Sequence, residues 1–185
     1  MTKASLKKGN ILIAEPAILN DSSFNRSVIL LTEHNNQGSV GFILNKPSKL
    51  TIKDLIPEIK SNHLIYNGGP VSTDNLYFIH NIPDLIPNSI SIDQGIYWAG
   101  NFETVKDLLK TDKNLKNKIR FFLGYTGWSS NQLKDEMKST SWLIKNNSYS
   151  NILSVAAKSF WRNELIKSGG EYQIWANSPE DPNMN

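Results

Sequence analysis

Cysteine is absent from the 185-residue chain, and this absence removes several classes of protein at once. Without thiols there is no disulfide framework of the kind that holds small secreted domains together, no zinc ribbon and no thiol nucleophile. The composition therefore predicts a cytoplasmic protein.

Long apolar runs are also absent. The lysines of Met1–Lys8 are followed by only a short apolar run, Ile11–Ala14, before Glu15 and Pro16. That run is too short for the apolar part of a signal peptide, and no later stretch approaches the ~20 residues that cross a membrane. The sequence predicts neither a secretion signal nor a membrane-bound protein.

The chain has little excess of charge of either sign, because 20 Lys and Arg stand against 17 Asp and Glu, a net charge of +3. Such a small excess favours solubility over any particular partner. One basic concentration stands out, and its members are Lys110, Lys113, Lys116, Lys118 and Arg120. The sequence beside these residues does not have the pattern of a helix-turn-helix motif. We therefore predict that the basic residues belong to a solvated helix end and loop, and we do not expect direct readout of nucleic acid.

Histidine is scarce, with three residues, and none of them has metal-ligand spacing. We therefore predict no metal and no cofactor. Glu33-His34 is the most reactive pair by residue type, but adjacent strand residues point to opposite faces, which favours a hydrogen-bonded turn histidine. Ser129 lacks the Gly-x-Ser-x-Gly elbow of serine hydrolases, so no catalytic residue is predicted.

The hydrophobic pattern predicts one mixed α/β domain over residues 1–176, followed by a disordered tail over 177–185. Strands outnumber helices and are connected mainly as hairpins. Strands are predicted at 10–14, 27–32, 40–44, 65–66, 76–80, 90–92, 96–99, 120–123, 142–144 and 172–175. Helices are predicted at 51–56, 102–109, from 129 onwards and from 150 or 151 to 165, the last ended by Gly169 and Gly170.

The run Arg120–Glu136 changes its hydrophobic period halfway along, which predicts a strand, a turn at Gly124 and Gly127, and a helix. Ser129 has the capping-box spacing for the start of that helix. Trp128 before the cap is spaced to form a hydrophobic staple with a residue in the first turns of the helix, Leu133.

Free N–H groups between this glycine turn and the helix allow a second interpretation, an anion site at the backbone amides of Ser130 and Asn131. The run is not a phosphate-binding Walker motif, because no Gly-Lys-Ser/Thr follows. The pattern favours a structural corner over an anion site.

Several segments together resemble the bacterial YqgE/AlgH family, whose members are largely uncharacterised. The resemblance covers most of the chain from Gly9 to about Gly170. It rests on Ile11–Pro16, Phe24–Val28, Glu33-His34, Gly41–Pro47, Gly68–Val71, Phe122–Trp128, Gln132-Leu133 and Trp161. The resemblance implies a branched, mostly antiparallel sheet that curls into a pseudo-barrel with helices packed outside. It also carries the label of a regulator of alginate gene transcription.

These observations together predict a binding or regulatory protein with an unknown small ligand or protein partner. The alternative is a hydrolase or transferase that acts on a small anionic substrate. Amides, paired glycines and aromatic walls at strand ends suit recognition of a small polar group. The predicted ligand-binding residues are Asn45, Asn67, Gly68, Gly69, Tyr125, Thr126 and Trp128, with Arg26 as the nearby cation.

Overall fold

The computed structural model describes residues 5–18, 21–111 and 114–179, and in these residues the chain forms a ten-stranded sheet and five α-helices. The strands are β1 (Asn10–Ala14), β2 (Val28–Asn35), β3 (Gly38–Ile43), β4 (Pro47–Thr51), β5 (Leu64–Asn67), β6 (Val71–His80), β7 (Ile90–Asp93), β8 (Ile96–Trp98), β9 (Ile119–Ser129) and β10 (Trp142–Asn146). The helices are α1 (Ile52–Leu55), α2 (Phe102–Thr111), α3 (Gln132–Lys138), α4 (Ala157–Ser168) and α5 (Tyr172–Ala176), with short 3-10 segments at Pro16–Ile18 and Ile152–Ser154.

The sheet divides at β9. The first half of β9 pairs in parallel with β5 and antiparallel with β6, while its last residues pair antiparallel with β3. One arm continues from β3 through β2 and β1 to β10, another from β6 through β8 to β7, and β4 extends the branch at β5. The predicted fold class is confirmed: the fold is mixed α+β, with a branched, mostly antiparallel sheet curled into a half-barrel.

The first two helices begin with polar side chains that form hydrogen bonds in the first turn. Thr51 precedes α1 and forms the reciprocal capping box with Asp54. The Asn101 side chain accepts a hydrogen bond from the Thr104 N–H at 3.0 Å and so caps the first turn of α2. Strands β1, β7, β8 and β10 lie where the hydrophobic pattern predicts them.

The prediction of a glycine turn inside Arg120–Glu136 is wrong, because β9 runs through both glycines without a break. Gly124 has φ 70°, and a Cβ atom there would lie 2.4 Å from the Gly69 carbonyl oxygen. Gly127 is paired with β3. Gly124 lets the backbone of Gly69 approach β9 closely, which is a strand role that a local pattern cannot distinguish from a turn. The helix starts later than predicted, at Gln132, and Ser129 is the last residue of the strand.

The last predicted strand is wrong as well, since Tyr172–Ala176 forms the short helix α5. Gly169 and Gly170 end α4 with φ values of 70° and 57°, and they turn the chain so that α5 packs against α4. The helix predicted from Ser150 or Asn151 is two elements, because Val155 has extended backbone between the 3-10 segment and α4.

Part of the predicted disordered tail is described. Ser178 and Pro179 accept hydrogen bonds from the Arg26 guanidinium through their backbone carbonyls, at 2.8 and 2.5 Å. Residues 180–185 lie outside the described part of the chain. Among the described residues no helix is both long enough and apolar enough to cross a membrane.

The apolar side chains form two packed clusters, and β6 and β9 contribute residues to both. The larger cluster is built on β1, β2 and β3 and is covered by the 3-10 segment Ile152–Ser154 and by α4. The smaller contains α2 and the first residues of β9. Phe121 and Phe122, neighbours on β9, belong to the smaller and the larger cluster respectively, as expected for a strand with both faces covered.

Candidate functional site

Four of the predicted ligand-binding residues adjoin each other through their backbones. A Cβ atom on Gly68 would lie 2.2 Å from the Gly124 carbonyl oxygen, and one on Gly69 would lie 2.2 Å from the Tyr125 carbonyl. The Thr126 hydroxyl donates to the Gly41 carbonyl at 2.9 Å and is fully buried. The lack of a side chain at Gly68 and Gly69 therefore lets this segment pack directly against the backbone of β9. The Thr126 hydroxyl forms its hydrogen bond within the protein interior.

Trp128 is part of a buried aromatic corner. Its indole N–H donates to Glu136 Oε2 at 2.9 Å, and the indole N–H of Trp142 donates to the same oxygen at 2.8 Å. Leu133 is buried in the same cluster as Trp128, but the helix cap is Asn131, so these two residues do not have the staple spacing that the sequence predicts. Tyr125 and Trp128 also line a shallow groove of about 370 Å³ together with Val71, which follows the Gly68-Gly69-Pro70 segment.

Asn45 and Arg26 lie apart from that groove in their contacts. The Asn45 side chain accepts from the Val28 N–H at 2.8 Å and donates to the Arg26 carbonyl at 2.9 Å. The Arg26 guanidinium lies 4.9 Å from the Trp161 ring and binds the C-terminal segment. Asn67 ends β5, where it pairs with Leu123 of β9. As a ligand site, this set of residues stays a prediction.

The Glu33-His34 pair is a hairpin feature, as the sequence favours. His34 Nδ1 lies 2.7 Å from the Ser39 hydroxyl, directly across the β2–β3 hairpin. Burial and then the charge of Lys134 lower the pKa of His34. His34 and Ser39 line a depression of about 210 Å³ beside Ser129–Asn131.

A larger cavity, of about 560 Å³, lies where β5 and β9 begin, and we call it the Arg120 cavity. Its lining comes from the loop before β5, from α2, from the segment before β9 and from the 3-10 segment before α4. The lining residues are Lys60, Ser61, Asn62, His63, Leu64, Tyr66, Leu109, Lys116, Asn117, Ile119, Arg120 and Leu153. Three of them carry positive charge, one is a histidine, and none is acidic.

Arg120 is the buried charge of this cavity, with 7% of its surface exposed. Its guanidinium donates to the Leu44 and Leu153 carbonyls at 2.8 and 2.7 Å, and more weakly to that of Val155 at 3.4 Å. It also lies 4.6 Å from the centre of the Tyr66 ring. Among the described residues no carboxylate lies within 4.0 Å of it. Burial lowers the pKa of Arg120, and Tyr66 opposes that shift.

His63 stands beside Ser61 in the wall of the Arg120 cavity. His63 Nδ1 lies 2.7 Å from the Ser61 hydroxyl oxygen, which also accepts the His63 backbone N–H at 3.3 Å. The other ring nitrogen, Nε2, is buried and has no hydrogen-bond partner in the described part of the chain. Burial lowers the pKa of His63, and the backbone of Leu115 acts in the opposite direction.

Charge is graded with depth in the Arg120 cavity. Lys60 and Lys116 are exposed, His63 is half-buried, and Arg120 is buried. Exposed lysines add long-range attraction for anions, whereas a buried guanidinium offers charge-assisted hydrogen bonds of fixed geometry. The arrangement is chemically suited to hold a carboxylate or phosphate group. No group of three or more His, Asp or Glu side chains in the described ranges is placed to hold a metal ion.

The chain is similar to known proteins along almost its whole length. The model of the AlgH-like family matches residues 11–173. The chain belongs to the AlgH-like family. It is 39% identical over 180 residues to a UPF0301 protein of Bacteroides thetaiotaomicron, which covers 96% of this chain and 91% of that one. It is 40% identical over 182 residues to a UPF0301 protein of Cytophaga hutchinsonii, covering 97% and 100%.

Two solved structures show the same AlgH-like fold. A Corynebacterium diphtheriae protein superposes with a TM-score of 0.77 at 20% identity, covering 96% of this chain and 95% of that one. The AlgH protein from Pseudomonas aeruginosa superposes with a TM-score of 0.69 at 22% identity, covering 97% and 98%. At these identities the likeness extends to the fold.

One feature of the sequence indicates the Arg120 cavity, although it is not a motif. In this AlgH-like chain Arg120 follows Ile119 and precedes two phenylalanines, so a permanent charge stands inside an otherwise apolar strand. A charge in such a position is buried unless the strand end is exposed, and buried charge is rare without a partner. Nothing local connects Arg120 with Ser61 and His63, which the parallel pairing of β5 with β9 brings to the same wall.

Proposed function

We propose that this AlgH-like protein binds a small organic anion in the Arg120 cavity. The observation that carries the proposal is the buried Arg120 guanidinium, which has carbonyl and aromatic neighbours but no described carboxylate within 4.0 Å. The proposed location of this activity is the cytoplasm, as the cysteine-free composition predicts.

Burial of a cation in a protein interior is unfavourable. Transfer of a charged group from water into a protein interior costs several kcal/mol unless other groups compensate it. Three backbone carbonyls and the Tyr66 ring supply dipoles and a quadrupole, which offset part of that cost and leave the net charge in place. A bound anion would neutralise the charge and could accept two parallel hydrogen bonds from the guanidinium.

The walls indicate what kind of anion fits. A volume of about 560 Å³ is within the ~300–1,000 Å³ of typical small-molecule sites. Leu64, Leu109, Ile119 and Leu153 provide apolar surface beside the cationic groups. The ligand class supported best is therefore a carboxylate or phosphate monoester with an apolar body.

The family resemblance implies a regulatory role, and this role is compatible with anion binding if the bound anion changes how the protein contacts a protein partner. The basic concentration considered for DNA divides in the structure, since Arg120 is buried, Lys116 lines the cavity and Lys113 is outside the described residues. Binding of DNA to this region should weaken steeply with salt, whereas a protein partner need not show that dependence.

The test measures binding with paired charged and neutral probes. Benzoate and phenyl phosphate should raise the melting temperature and bind in calorimetry, while benzamide and benzyl alcohol should not. Arg120→Met should abolish the effect, and Lys134→Met, at the His34 depression, should leave it intact. Equal responses to the neutral probes, or none to either anion, would contradict the proposal.

The groove at Tyr125 and Trp128 is the second proposed ligand site, supported by its two aromatic walls and the adjoining Gly68-Gly69 segment. Tyr125→Ala distinguishes the two sites in the same experiment. Loss of anion binding in Tyr125→Ala, with Arg120→Met unaffected, would move the site from the Arg120 cavity to this groove.

A further inference from the structure

Two serine–histidine contacts of the same length occur in the described part of the chain. His34 Nδ1 and the Ser39 hydroxyl are 2.7 Å apart, and so are His63 Nδ1 and the Ser61 hydroxyl. They differ in their surroundings, because Ser61 and His63 share the Arg120 cavity with a buried guanidinium, whereas Ser39 and His34 line the smaller depression near Lys134.

The hydrogen bonds around Ser61 favour one arrangement of protons. Its oxygen already accepts the His63 backbone N–H at 3.3 Å, so its own hydrogen is available to His63 Nδ1. Nδ1 then acts as an acceptor, and a neutral ring carries its proton on Nε2, which is buried close to the Leu115 backbone. A serine hydroxyl that donates to a neutral imidazole is the arrangement needed for an activated nucleophile.

Burial supports this protonation state. It lowers the pKa of His63, so the ring is neutral near pH 7 and free to accept a proton. Ser61 is 7% exposed and lines the cavity, so its hydroxyl is within reach of a molecule bound there. Of the two serine–histidine pairs, this one therefore has a base, a nucleophile and an anion-binding group in the same cavity.

We propose that Ser61 is the nucleophile and His63 the general base of an ester hydrolysis whose substrates are small esters that carry an anionic group, held by Arg120. This inference rests on the proposed anion binding and names the substrate class of that site.

The proposed reaction proceeds through an acyl-serine intermediate. The Ser61 oxygen forms a bond to the acyl carbon while its proton passes to His63 Nδ1, and the positive potential of the cavity stabilises the oxyanion. The ester C–O bond breaks, and the departing alkoxide takes the proton from His63. Water then attacks the acyl-serine, gives a proton to His63 and releases the acid, and Ser61 recovers its hydrogen.

The experiment uses 4-acetoxybenzoate as the anionic ester and 4-acetoxybenzamide as its neutral counterpart. The wild-type protein should release 4-hydroxybenzoate, with kcat/KM at least ~10-fold higher for the anionic ester. Ser61→Ala and His63→Gln should each lower kcat by ~100-fold or more, the range for loss of a nucleophile or general base. Ser39→Ala, the matched serine of the other pair, should not change the rate. Mass spectrometry of rapidly quenched wild-type protein should find an acetyl group on Ser61.

Benzoate binding by the same variants separates this inference from the binding proposal. If benzoate binds to wild type and to Ser61→Ala, but wild type does not hydrolyse the ester or Ser61→Ala hydrolyses it as fast as wild type does, the activity is overturned and anion binding stands. If neither benzoate binding nor hydrolysis is found, both fall. Ser61→Cys covers the case of an unstable alanine variant: acetylation of Cys at position 61 by the ester supports the activity, and its absence in the folded variant overturns it.

Discussion

Glu164 and Arg120 both carry buried charges, but different kinds of group surround the two charges. Glu164, 3% exposed, is met by Lys145 at 3.2 Å, by Lys167 at 2.8 Å and by the Tyr149 hydroxyl. Arg120, 7% exposed, is met by backbone carbonyls and the Tyr66 ring. Glu164 lies on α4 and contacts Lys145 of β10, whereas Arg120 lines a cavity.

The pKa shifts express the same contrast. Burial acts to raise the pKa of Glu164, but the hydrogen bonds from Lys167 and Tyr149 and the charge of Lys145 together lower it. For Arg120 burial is the larger influence and the pKa is lowered, against the charged form. The charge of Glu164 is thus compensated within the fold, which indicates a structural role, while that of Arg120 is compensated only in part, which is the basis of the proposed anion binding.

The largest effect that tests this comparison is expected for anion binding by Arg120 variants. Arg120→Met should weaken benzoate binding by ~100-fold or more, about 2.8 kcal/mol, because the buried charge is lost. Arg120→Lys, which keeps a charge, should lose less than ~10-fold. Calorimetry measures both, with melting curves to confirm folding. Equal losses in the two variants would mean that Arg120 acts through packing.

The matching change at Glu164 should affect stability and not binding. Glu164→Gln leaves Lys145 and Lys167 without their buried partner, and we expect the free energy of unfolding to fall by about 2–3 kcal/mol. This is below the range for a fully buried pair, since both lysines can turn to solvent. Urea unfolding gives the value, and benzoate affinity should be unchanged. Glu171→Gln is the control on an exposed glutamate, and an equal loss there would contradict a specific role for Glu164.

Structural features that depend on residues close together in the sequence can be predicted from it, whereas features that depend on distant segments cannot. Hairpins and the starts of α1 and α2 are local features, and local patterns predict them. Gly124 required knowledge of the chain that packs against it, so a strand was predicted as a turn. Likewise Asn45 and Trp128 have the residue types of a ligand site, but their polar atoms are used inside the fold by Val28 and Glu136. The family resemblance supplied the branched sheet, which composition and periodicity could not.

The acid dependence of stability gives a finer test of the Glu164 side. The pKa of Glu164 in the folded protein is lower than its ordinary value of 4.5, so its contribution is complete above pH 4.5 and is lost as the pH falls through the folded-state pKa. Wild type should therefore lose more stability than Glu164→Gln between neutral pH and about pH 3. The difference between the two urea midpoints should narrow across that window. A difference that is constant with pH would exclude ionised Glu164 as the cause.

The smallest effect is expected from His63, and it tests the Arg120 side at constant Arg120 charge. In the free protein burial lowers the pKa of His63 from 6.5, so the ring is neutral near pH 7. An anion bound beside it favours the protonated ring and raises that pKa, so binding takes up a proton. Benzoate affinity should therefore increase, by roughly two- to tenfold, as the pH falls through the pKa of His63 in the complex, and level off below the pKa of His63 in the free protein. His63→Gln should remove this slope while His34→Gln, at the other serine–histidine contact, keeps it. An affinity that is flat with pH in wild type would place the anion away from His63, and a slope that persists in His63→Gln would assign the proton to another group.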